Sequence, residues 1–283
     1  MRSSVVSAVS GRPHQRGVAL AFAATVLAGC GAEPDAPAVE RAPSLDLARA
    51  AQPIFGGELD ADHPEVMFLF DLAAGAGCTG TNIRAADGSG FLLTAAHCVT
   101  EPDAQGNFVP VDPGRLLVVP GEDFSESELV FFADQVSVEP GWDGSFAVDD
   151  IAVVRFALGN EPPPPTIEPL DLDDDDLGSG TDLLLVGYGT TDEGGLNTER
   201  RRVEREVLDA DAELVAFSQE DGRGACFGDS GGPGLVELAG QERVALVISG
   251  GVSDEDEEAC ATGFTLGMRV SGYADFIQDA LED

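Results

Sequence analysis

The stretch Gly228-Asp229-Ser230-Gly231-Gly232-Pro233 places one serine among glycines in the last quarter of the chain. Glycine adopts backbone dihedrals that other residues avoid, so this run favours a tight turn around the serine. Two earlier stretches complement it, Leu93-Thr94-Ala95-Ala96-His97-Cys98 and Asp149-Asp150-Ile151-Ala152-Val153-Val154. A histidine or an aspartate alone indicates little, because most are surface, turn or core residues. Together, the three stretches supply a nucleophile, a base and a carboxylate.

Short apolar runs separated by Gly, Pro and Asp turns surround these stretches. The first set covers 66–72, 91–94, 116–119, 129–138 and 151–156, and the second covers 183–187, 202–208, 235–238, 244–248 and 264–270. Many short strands at this spacing are typical of an all-β sandwich or barrel. Between the sets lies Glu161-Pro162-Pro163-Pro164-Pro165, a stiff connector that cannot pair within a sheet. The sequence therefore predicts two β units of similar size.

The carboxyl terminus departs from the strand pattern. After Ser271, a residue suited to an N-cap, apolar residues recur at helical spacing: Tyr273, Phe276, Ile277, Ala280 and Leu281. We predict one amphipathic helix over 271–283.

These features resemble the chymotrypsin/trypsin family of serine proteases, from Ile54 to the carboxyl-terminal helix. Four further segments match the family: Ile54-Phe55-Gly56-Gly57, Cys78-Thr79-Gly80-Thr81, Gly187-Tyr188-Gly189 and Ser249-Gly250-Gly251. The resemblance implies an all-β fold of two six-stranded antiparallel barrels followed by the helix. We expect the first barrel over about 54–160, the second over about 166–270, and the active site in the crevice between them.

The resemblance also assigns chemical roles. A serine hydroxyl attacks an amide only if a base takes its proton, so His97 would be the base for Ser230. Asp150 would hold the imidazole in the productive tautomer, because the family's aspartate immediately precedes an Ile-Ala or Val-Ala pair; its neighbour Asp149 is expected to be a turn residue. Backbone N–H groups of Gly228 and Ser230 would form the oxyanion hole. The implied activity is a serine endopeptidase acting on proteins or peptides, with no cofactor or metal ion, and we expect a monomer.

The primary specificity pocket is expected to be neutral. Six residues before the serine lies Gly224, where trypsin-like enzymes carry an aspartate. Without that carboxylate, a bound arginine or lysine side chain would be left unpaired, which is costly. The resemblance assigns the pocket to Gly224, Ser249, Gly250, Gly251 and Thr265. We expect apolar side chains in it, and the sequence does not choose between small and aromatic ones.

Five cysteines are an odd number for an exported protein. If Cys30 carries a lipid, four remain, and an oxidising compartment would allow two disulfides. The resemblance pairs Cys78 with Cys98 and Cys226 with Cys260.

Activation in the family begins with a cut before the isoleucine that corresponds to Ile54. The freed amine pairs with the aspartate beside the serine, here Asp229. Pro53 precedes Ile54, so a trypsin-type activator would not cut there, and the nearest basic residue is Arg49. Either a different protease matures the chain or activation is unusual.

The amino terminus is typical of an exported protein. Arginines precede an apolar run over 17–28, which is too short to span a bilayer. The run ends in Leu27-Ala28-Gly29-Cys30, which resembles the lipobox of bacterial lipoproteins, whose cysteine is acylated after the signal is cut. An ordinary secretory signal is the alternative. We expect export from a bacterial cell, with membrane association only through a lipid on Cys30.

The chain is therefore divided into three parts. Residues 1–29 are predicted to be a lipoprotein-type signal, and residues 30–53, rich in Ala, Pro and Glu, a tether or propeptide. Residues 54–283 are predicted to form the protease domain. Cleavage before Ile54 would release this domain from the lipid anchor, so the active form is either tethered or secreted.

The composition limits the partners. The chain has 52 Asp and Glu against 15 basic residues, all arginine, for a net charge of −37. A surface this acidic repels phosphate backbones and anionic lipids, which argues against nucleic-acid binding and polybasic membrane docking. The alternative function is a catalytically weak, protease-like surface-binding lipoprotein. Because all three triad positions are present, the sequence favours the enzyme.

Overall fold

The computed structural model describes residues 54, 56–171, 176–190, 197–252, 260 and 262–282. The predicted signal over 1–29, the tether over 30–53 and the acylation site at Cys30 lie outside these residues. No helix in the described part of the chain is long and apolar enough to cross a membrane.

Strands dominate the described residues. Before the proline-rich connector they are β1 (Glu58–Leu59), β2 (Val66–Asp71), β3 (Ala76–Ala86), β4 (Ser89–Thr94), β5 (Thr100–Pro102), β6 (Phe108–Pro110), β7 (Leu116–Val119), β8 (Phe131–Val138) and β9 (Ala152–Ala157). After it they are β10 (Asp182–Gly187), β11 (Arg201–Ala210), β12 (Leu214–Ser218), β13 (Pro233–Leu238), β14 (Gln241–Val252) and β15 (Phe264–Arg269). A turn of 3₁₀-helix (Val270–Tyr273) leads into helix α1 (Ala274–Glu282).

Two antiparallel barrels result. The first closes in the order β2-β3-β4-β9-β8-β7. The second runs β11-β10-β13-β14-β15-β12 and closes because β11 pairs with both β10 and β12. Closure leaves few free strand edges, which suits a chain of many short strands. The predicted fold class, two six-stranded barrels with a carboxyl-terminal helix, is confirmed.

Each barrel buries its own apolar residues, and a third cluster joins the barrels. The first barrel's core includes Leu69, Leu92, Val118, Phe131 and Phe156. The second barrel's core includes Leu185, Val203, Phe217, Ala245 and Leu246. The cluster shared by both barrels and α1 includes Val66, Phe68, Val186, Tyr188, Val247 and Ile277. Full burial of each large apolar side chain stabilises the fold by about 1.5–3 kcal/mol. This shared cluster, called the seam below, therefore holds the barrels together.

The sequence predicted that the first barrel begins at about residue 54. In the structure, the segment around residue 54 belongs to the second barrel. Strand β1 pairs with β11, with Glu58 opposite Arg202, so the segment joins the second barrel. Ile54 is fully buried in that barrel's core. The prediction was wrong here because a two-residue strand carries no periodicity that could reveal its partner.

The carboxyl-terminal helix also begins later than predicted. Ser271 is buried within the 3₁₀ turn, with Val270 and Tyr273, and α1 begins at Ala274. Val270 and Tyr273 of this turn pack in the apolar cluster shared by the two barrels, so the turn is part of the core and the α-helix follows it.

The connector between the barrels has no strand of its own. Asn82 in β3 donates from its side-chain amide to the carbonyl of Pro165 at 2.9 Å. The backbone carbonyl of Asn82 accepts from the Ile167 N–H at 3.1 Å. One fully buried residue of the first barrel, through its side chain and its backbone, thus fixes the path of the chain into the second.

Candidate active site

His97 follows β4 in a single 3₁₀ turn, Ala96–Cys98. The end of β4 is anchored by Thr94, whose hydroxyl donates to the carbonyl of Thr79 at 2.8 Å. The imidazole is partly exposed, with 36% of the side chain accessible. Its Nε2 lies 3.6 Å from the Cys98 sulfur, and the side chain lines a cavity together with residues of the second barrel.

The other ring nitrogen of His97, Nδ1, contacts Asp150. His97 Nδ1 lies 2.7 Å from Asp150 Oδ2, and the His97 backbone N–H donates to Asp150 Oδ1 at 2.8 Å. The hydroxyl of Ser249 in β14 also donates to Oδ2, at 2.5 Å. A buried carboxylate held by three donors accepts the Nδ1 proton, which leaves Nε2 free to act as a base.

Asp149, the residue before Asp150, makes a different contact. Asp149 adopts a positive φ of 51° and accepts a hydrogen bond from the Tyr273 hydroxyl at 3.1 Å. Of the two adjacent aspartates, the structure therefore brings only Asp150 to the histidine.

Ser230 lies in the loop between β12 and β13, and this loop is hydrogen-bonded to strands of both barrels. Its carbonyl accepts from the Thr79 N–H at 2.9 Å, and the Gly231 N–H donates to the Ile248 carbonyl at 2.7 Å. A Cβ on Gly231 would collide with the Thr94 hydroxyl and the Thr79 carbonyl, and its φ is +82°. Glycine at 231 is thus required for this close approach.

The Ser230 hydroxyl and His97 share a cavity without a direct bond. Within the described residues, Ser230 Oγ donates to the Ser249 carbonyl at 3.5 Å, and no hydrogen bond joins it to His97 Nε2. Both side chains line one cavity of about 280 Å³, together with Ser249, Gly250 and Gly251. Rotation of Ser230 about its Cα–Cβ bond is the movement that would direct the hydroxyl toward the imidazole.

A larger cavity of about 830 Å³ lies elsewhere, near the start of α1. It is lined by several carboxylates, including Glu139, Glu213 and Asp279, but its lining residues include no histidine or cysteine. The smaller cavity is therefore the candidate active site, because chemistry and not size identifies it.

Two of the five predicted pocket residues do not line this cavity. Ser249, Gly250 and Gly251 form one wall, whereas Gly224 and Thr265 are absent from the lining. Thr265 is fully buried and donates its hydroxyl to the side chain of Gln219.

Asp229 is fully buried beside the serine. It accepts from the N–H groups of Gly189 at 2.7 Å and Cys226 at 2.8 Å, and no cation pairs with it in the part of the chain that is described. Burial raises the pKa of Asp229 to about 7, despite these two hydrogen bonds. Beside it, the carbonyl of Gly228 accepts from the Thr79 hydroxyl at 2.8 Å.

Two disulfides flank the site. Cys78 is bonded to Cys98, next to His97, and Cys226 is bonded to Cys260, both at the cavity wall. The cluster of His97 with Cys78 and Cys98 brings possible metal ligands within 4.8 Å of one another, but disulfide sulfurs offer no thiolate to a metal.

Three residues at the site could not be predicted from the sequence. Phe146 and Phe227 line the cavity although 51% and 71% of them are exposed. The Phe146 ring lies where a side chain on Gly250 would lie, 2.7 Å from the Cβ position. Gln219 is fully buried behind Gly224. These residues lie in segments without a motif, so only their spatial neighbours identify them.

Comparisons with known proteins bear on the family and the fold. The family model described as trypsin matches residues 54–277. Serine protease SP24D of Anopheles gambiae is 27% identical over 216 residues, covering 72% of this chain and 72% of the relative. Trypsin-1 of Astacus astacus is 26% identical over 179 residues, covering 57% of this chain and 73% of the relative.

A solved structure, that of HL collagenase, has the same fold. It matches with a TM-score of 0.59 at 20% sequence identity, over 78% of this chain and 94% of that one. At this identity the likeness concerns the fold alone.

Proposed function

Because this chain belongs to the trypsin family of serine proteases, we propose that His97, Asp150 and Ser230 are its catalytic triad and that it hydrolyses peptide bonds through an acyl-enzyme. One observation carries the proposal: the 2.7 Å contact between His97 Nδ1 and Asp150 Oδ2, in the cavity that also contains Ser230. The three residues come from two barrels, so their convergence depends on the fold.

The first half of the reaction forms the acyl-enzyme. Ser230 Oγ attacks the carbonyl carbon while His97 Nε2 takes the hydroxyl proton, and Asp150 stabilises the resulting imidazolium. The imidazolium then gives its proton to the departing amine, and the C–N bond breaks. In the second half, a water molecule attacks the ester with His97 again as base, which releases the carboxylic acid and restores the serine.

Backbone N–H groups of Gly228 and Ser230 form the oxyanion hole in this proposal. They donate to the carbonyl oxygen only as it becomes negative, so they stabilise the transition state more than the substrate. Removing one such donor lowers turnover by about 10²–10³-fold. The tight turn around Ser230, held by Thr79 and Ile248, supports this assignment.

The primary pocket is proposed to be neutral and to accept uncharged side chains. Ser249, Gly250 and Gly251 line the cavity, whereas Gly224 and Thr265 lie behind it. None of these five residues carries a charge, so a basic side chain would find no partner among them.

Activation is proposed to require a free amine at Ile54. Ile54 and Asp229 are both fully buried, and an amine paired with Asp229 would compensate its buried carboxylate. The activating protease must accept proline before the cut. Amino-terminal sequencing of the active form should begin at Ile54, and any other start contradicts this pairing.

Export and anchoring complete the proposal. Two disulfides are consistent with an oxidising compartment outside the cytosol. A signal over 1–29 would direct export and be removed, and acylation of Cys30 with a tether over 30–53 would then hold the domain at a membrane until a cut before Ile54 releases it. Cys30→Ser should move the uncleaved protein from the membrane fraction to the soluble fraction; unchanged fractionation contradicts the anchor.

Labelling with a fluorophosphonate tests the triad directly. The probe should modify the activated protein at Ser230, and Ser230→Ala should abolish labelling. Ser218→Ala, the same change at the end of β12, is the matched control and should keep it. Labelling that survives in Ser230→Ala contradicts the assignment.

One observation favours the alternative function. The Ser230 hydroxyl contacts the Ser249 carbonyl rather than His97, an arrangement that suits a protease-like binding protein with weak catalysis. Peptide binding by the chain with Ile54 as its amino terminus, without labelling or hydrolysis, would support that alternative.

A further inference from the structure

We propose that Gln219 plugs the closed end of the primary specificity pocket and restricts the enzyme to substrates with a small uncharged side chain before the scissile bond. This inference rests on the proposed function, since it concerns the substrate class of the same site.

Gln219 is held rigidly at both ends of its side chain. It follows β12, is fully buried, and its backbone N–H donates to the Gly263 carbonyl at 2.9 Å. Its side-chain amide donates to the Cys260 carbonyl at 3.0 Å, and the Thr265 hydroxyl donates to its amide oxygen. A buried amide with these partners keeps one rotamer, because leaving either partner unpaired would be costly.

The partners of Gln219 lie at or directly behind the wall of the pocket. Cys260 lines the cavity itself. Thr265 in β15 pairs across the sheet with Gly251 in β14, which forms part of the cavity wall. Gln219 thus reaches the pocket region from behind, between the disulfide and the β14–β15 wall.

Gly224 shows how completely the side chain occupies this space. A Cβ built on Gly224 would collide with Gln219 Oε1 and lie only 2.5 Å from Cδ. The two residues after Gly224, Ala225 and Cys226, line the cavity, but Gly224 and Gln219 do not. The cavity therefore ends in front of Gln219, and the volume that a long side chain would need is filled by the glutamine.

The chemistry of the plug defines the side chains that fit. Its amide oxygen and one amide N–H are already used by Thr265 and Cys260, so the plug offers no charge and little unsatisfied polarity. An aromatic or long side chain would have to displace it. A carboxylate side chain is disfavoured by the net charge of −37. Alanine and valine meet these conditions.

A matched substrate series tests the plug. Mature enzyme, quantified by fluorophosphonate labelling, is assayed with peptides that differ only in the residue before the scissile bond: Ala, Val, Leu, Phe or Arg. In the wild type, kcat/KM for Ala or Val should exceed that for Phe by about 10-fold or more. Gln219→Ala should raise the ratio of kcat/KM for Phe to that for Ala by about 10–100-fold, since most of the side chain that fills the end of the pocket is removed.

Two further variants make the result specific. Gln135→Ala makes the same chemical change in β8 of the first barrel and should leave the ratio unchanged. Gln219→Asn keeps the amide group but shortens the side chain by one methylene. It should raise the ratio of kcat/KM for Leu to that for Ala by about 10-fold. This variant carries the test if Gln219→Ala does not fold.

Three outcomes overturn the inference. One is a wild type that prefers Phe to Ala. Another is folded, probe-reactive Gln219 variants with wild-type ratios, and the third is an equal change in Gln135→Ala. If the wild type does not react with the probe at all, the proposed function fails, and this inference fails with it.

Discussion

At the scale of single residues, the proposed chemistry depends on which of two adjacent aspartates faces the histidine. Asp150 receives hydrogen bonds from His97 and Ser249, whereas Asp149 receives one from Tyr273. The positive φ of Asp149, 51°, turns the chain between them, so the two carboxylates point to different parts of the molecule. A shift of one residue would remove the carboxylate from the imidazole.

The two aspartates make a matched pair of variants. Asp150→Asn should lower kcat by about 10⁴-fold, because an amide donor favours the wrong imidazole tautomer. Asp149→Asn should leave kcat within a few-fold, since its partner is Tyr273. Steady-state kinetics on one peptide substrate measure both. Equal losses in the two variants would contradict the assignment of Asp150.

Asp229 should make the uncleaved chain less stable as the pH rises. Its pKa is raised by burial to about 7 in the folded chain, against 3.8 when it is exposed. Between about pH 4 and 7 the folded state holds a proton that the unfolded state has lost. The free energy of unfolding then falls by about 1.4 kcal/mol per pH unit from this group, and the loss is complete above pH 7.

Urea unfolding of the uncleaved Ser230→Ala protein measures this dependence. Adding Asp229→Asn should remove the fall between pH 4 and 7, whereas Asp209→Asn, at an exposed position in β11, should keep it. Cleavage before Ile54 should also reduce the fall, because a paired amine would stabilise the ionised carboxylate. An unchanged pH dependence in Asp229→Asn is the contrary result.

At the scale of elements, two strands of the six-stranded barrels, β3 and β12, were not predicted from the apolar runs. Strand β3, residues Ala76–Ala86, consists mostly of small and polar residues, yet its centre is buried because β2 and β4 pair on either side. Thr79 in this strand bonds to Gly228 and Ser230 of the second barrel. Close approach of backbones requires small side chains there, and small side chains give no hydrophobic periodicity.

The Cys226–Cys260 disulfide should stabilise the pocket as well as the fold. It closes a sequence separation of 34 residues, for which loss of loop entropy in the unfolded chain corresponds to about 2–4 kcal/mol. Replacing both cysteines with alanine should lower the free energy of unfolding by this amount and raise KM, because both residues line the cavity. Urea unfolding and peptide kinetics measure the two effects.

The Cys78–Cys98 disulfide provides the comparison. It closes a separation of 20 residues beside His97, so its double alanine variant should lose similar stability. Its effect on activity should appear mainly in kcat, through the position of the base. The reverse division of KM and kcat between the two variants would contradict these roles.

At the scale of the whole molecule, a buried ionic group reinforces the apolar seam. Arg200 is fully buried; its Nε donates to Asp60 at 2.8 Å, and its Nη1 donates to the Val66 carbonyl of β2 at 3.2 Å. His63 Nδ1 lies 2.6 Å from the same aspartate. Although burial alone would raise it, hydrogen bonds from His63 and Arg200 lower the pKa of Asp60 to about 2.

Removal of this arginine should destabilise the protein strongly. Arg200→Ala removes the guanidinium from the buried Asp60, which keeps only His63 as a close partner, and should cost about 3–5 kcal/mol in urea unfolding. Arg155→Ala removes the exposed ion pair with Asp134 and should cost less than about 1 kcal/mol. Similar losses in the two variants would argue against a buried ionic contribution.

The pH dependence identifies the same group. With its pKa lowered, Asp60 contributes stability that is present above about pH 4 and is lost as the pH falls toward 2. In Arg200→Ala, this acid-dependent part of the free energy of unfolding should shrink.

The sequence by itself determined the fold class and the order of the proposed catalytic residues. Strand periodicity identified most of the barrel strands, and the stretches around His97, Asp150 and Ser230 identified the family, because both signals are local. The tertiary structure decided the rest: β1 in the second barrel, Thr79 as a link between barrels, and Gln219 behind the pocket. These features depend on contacts between residues far apart in the chain, and such contacts leave no local pattern to read.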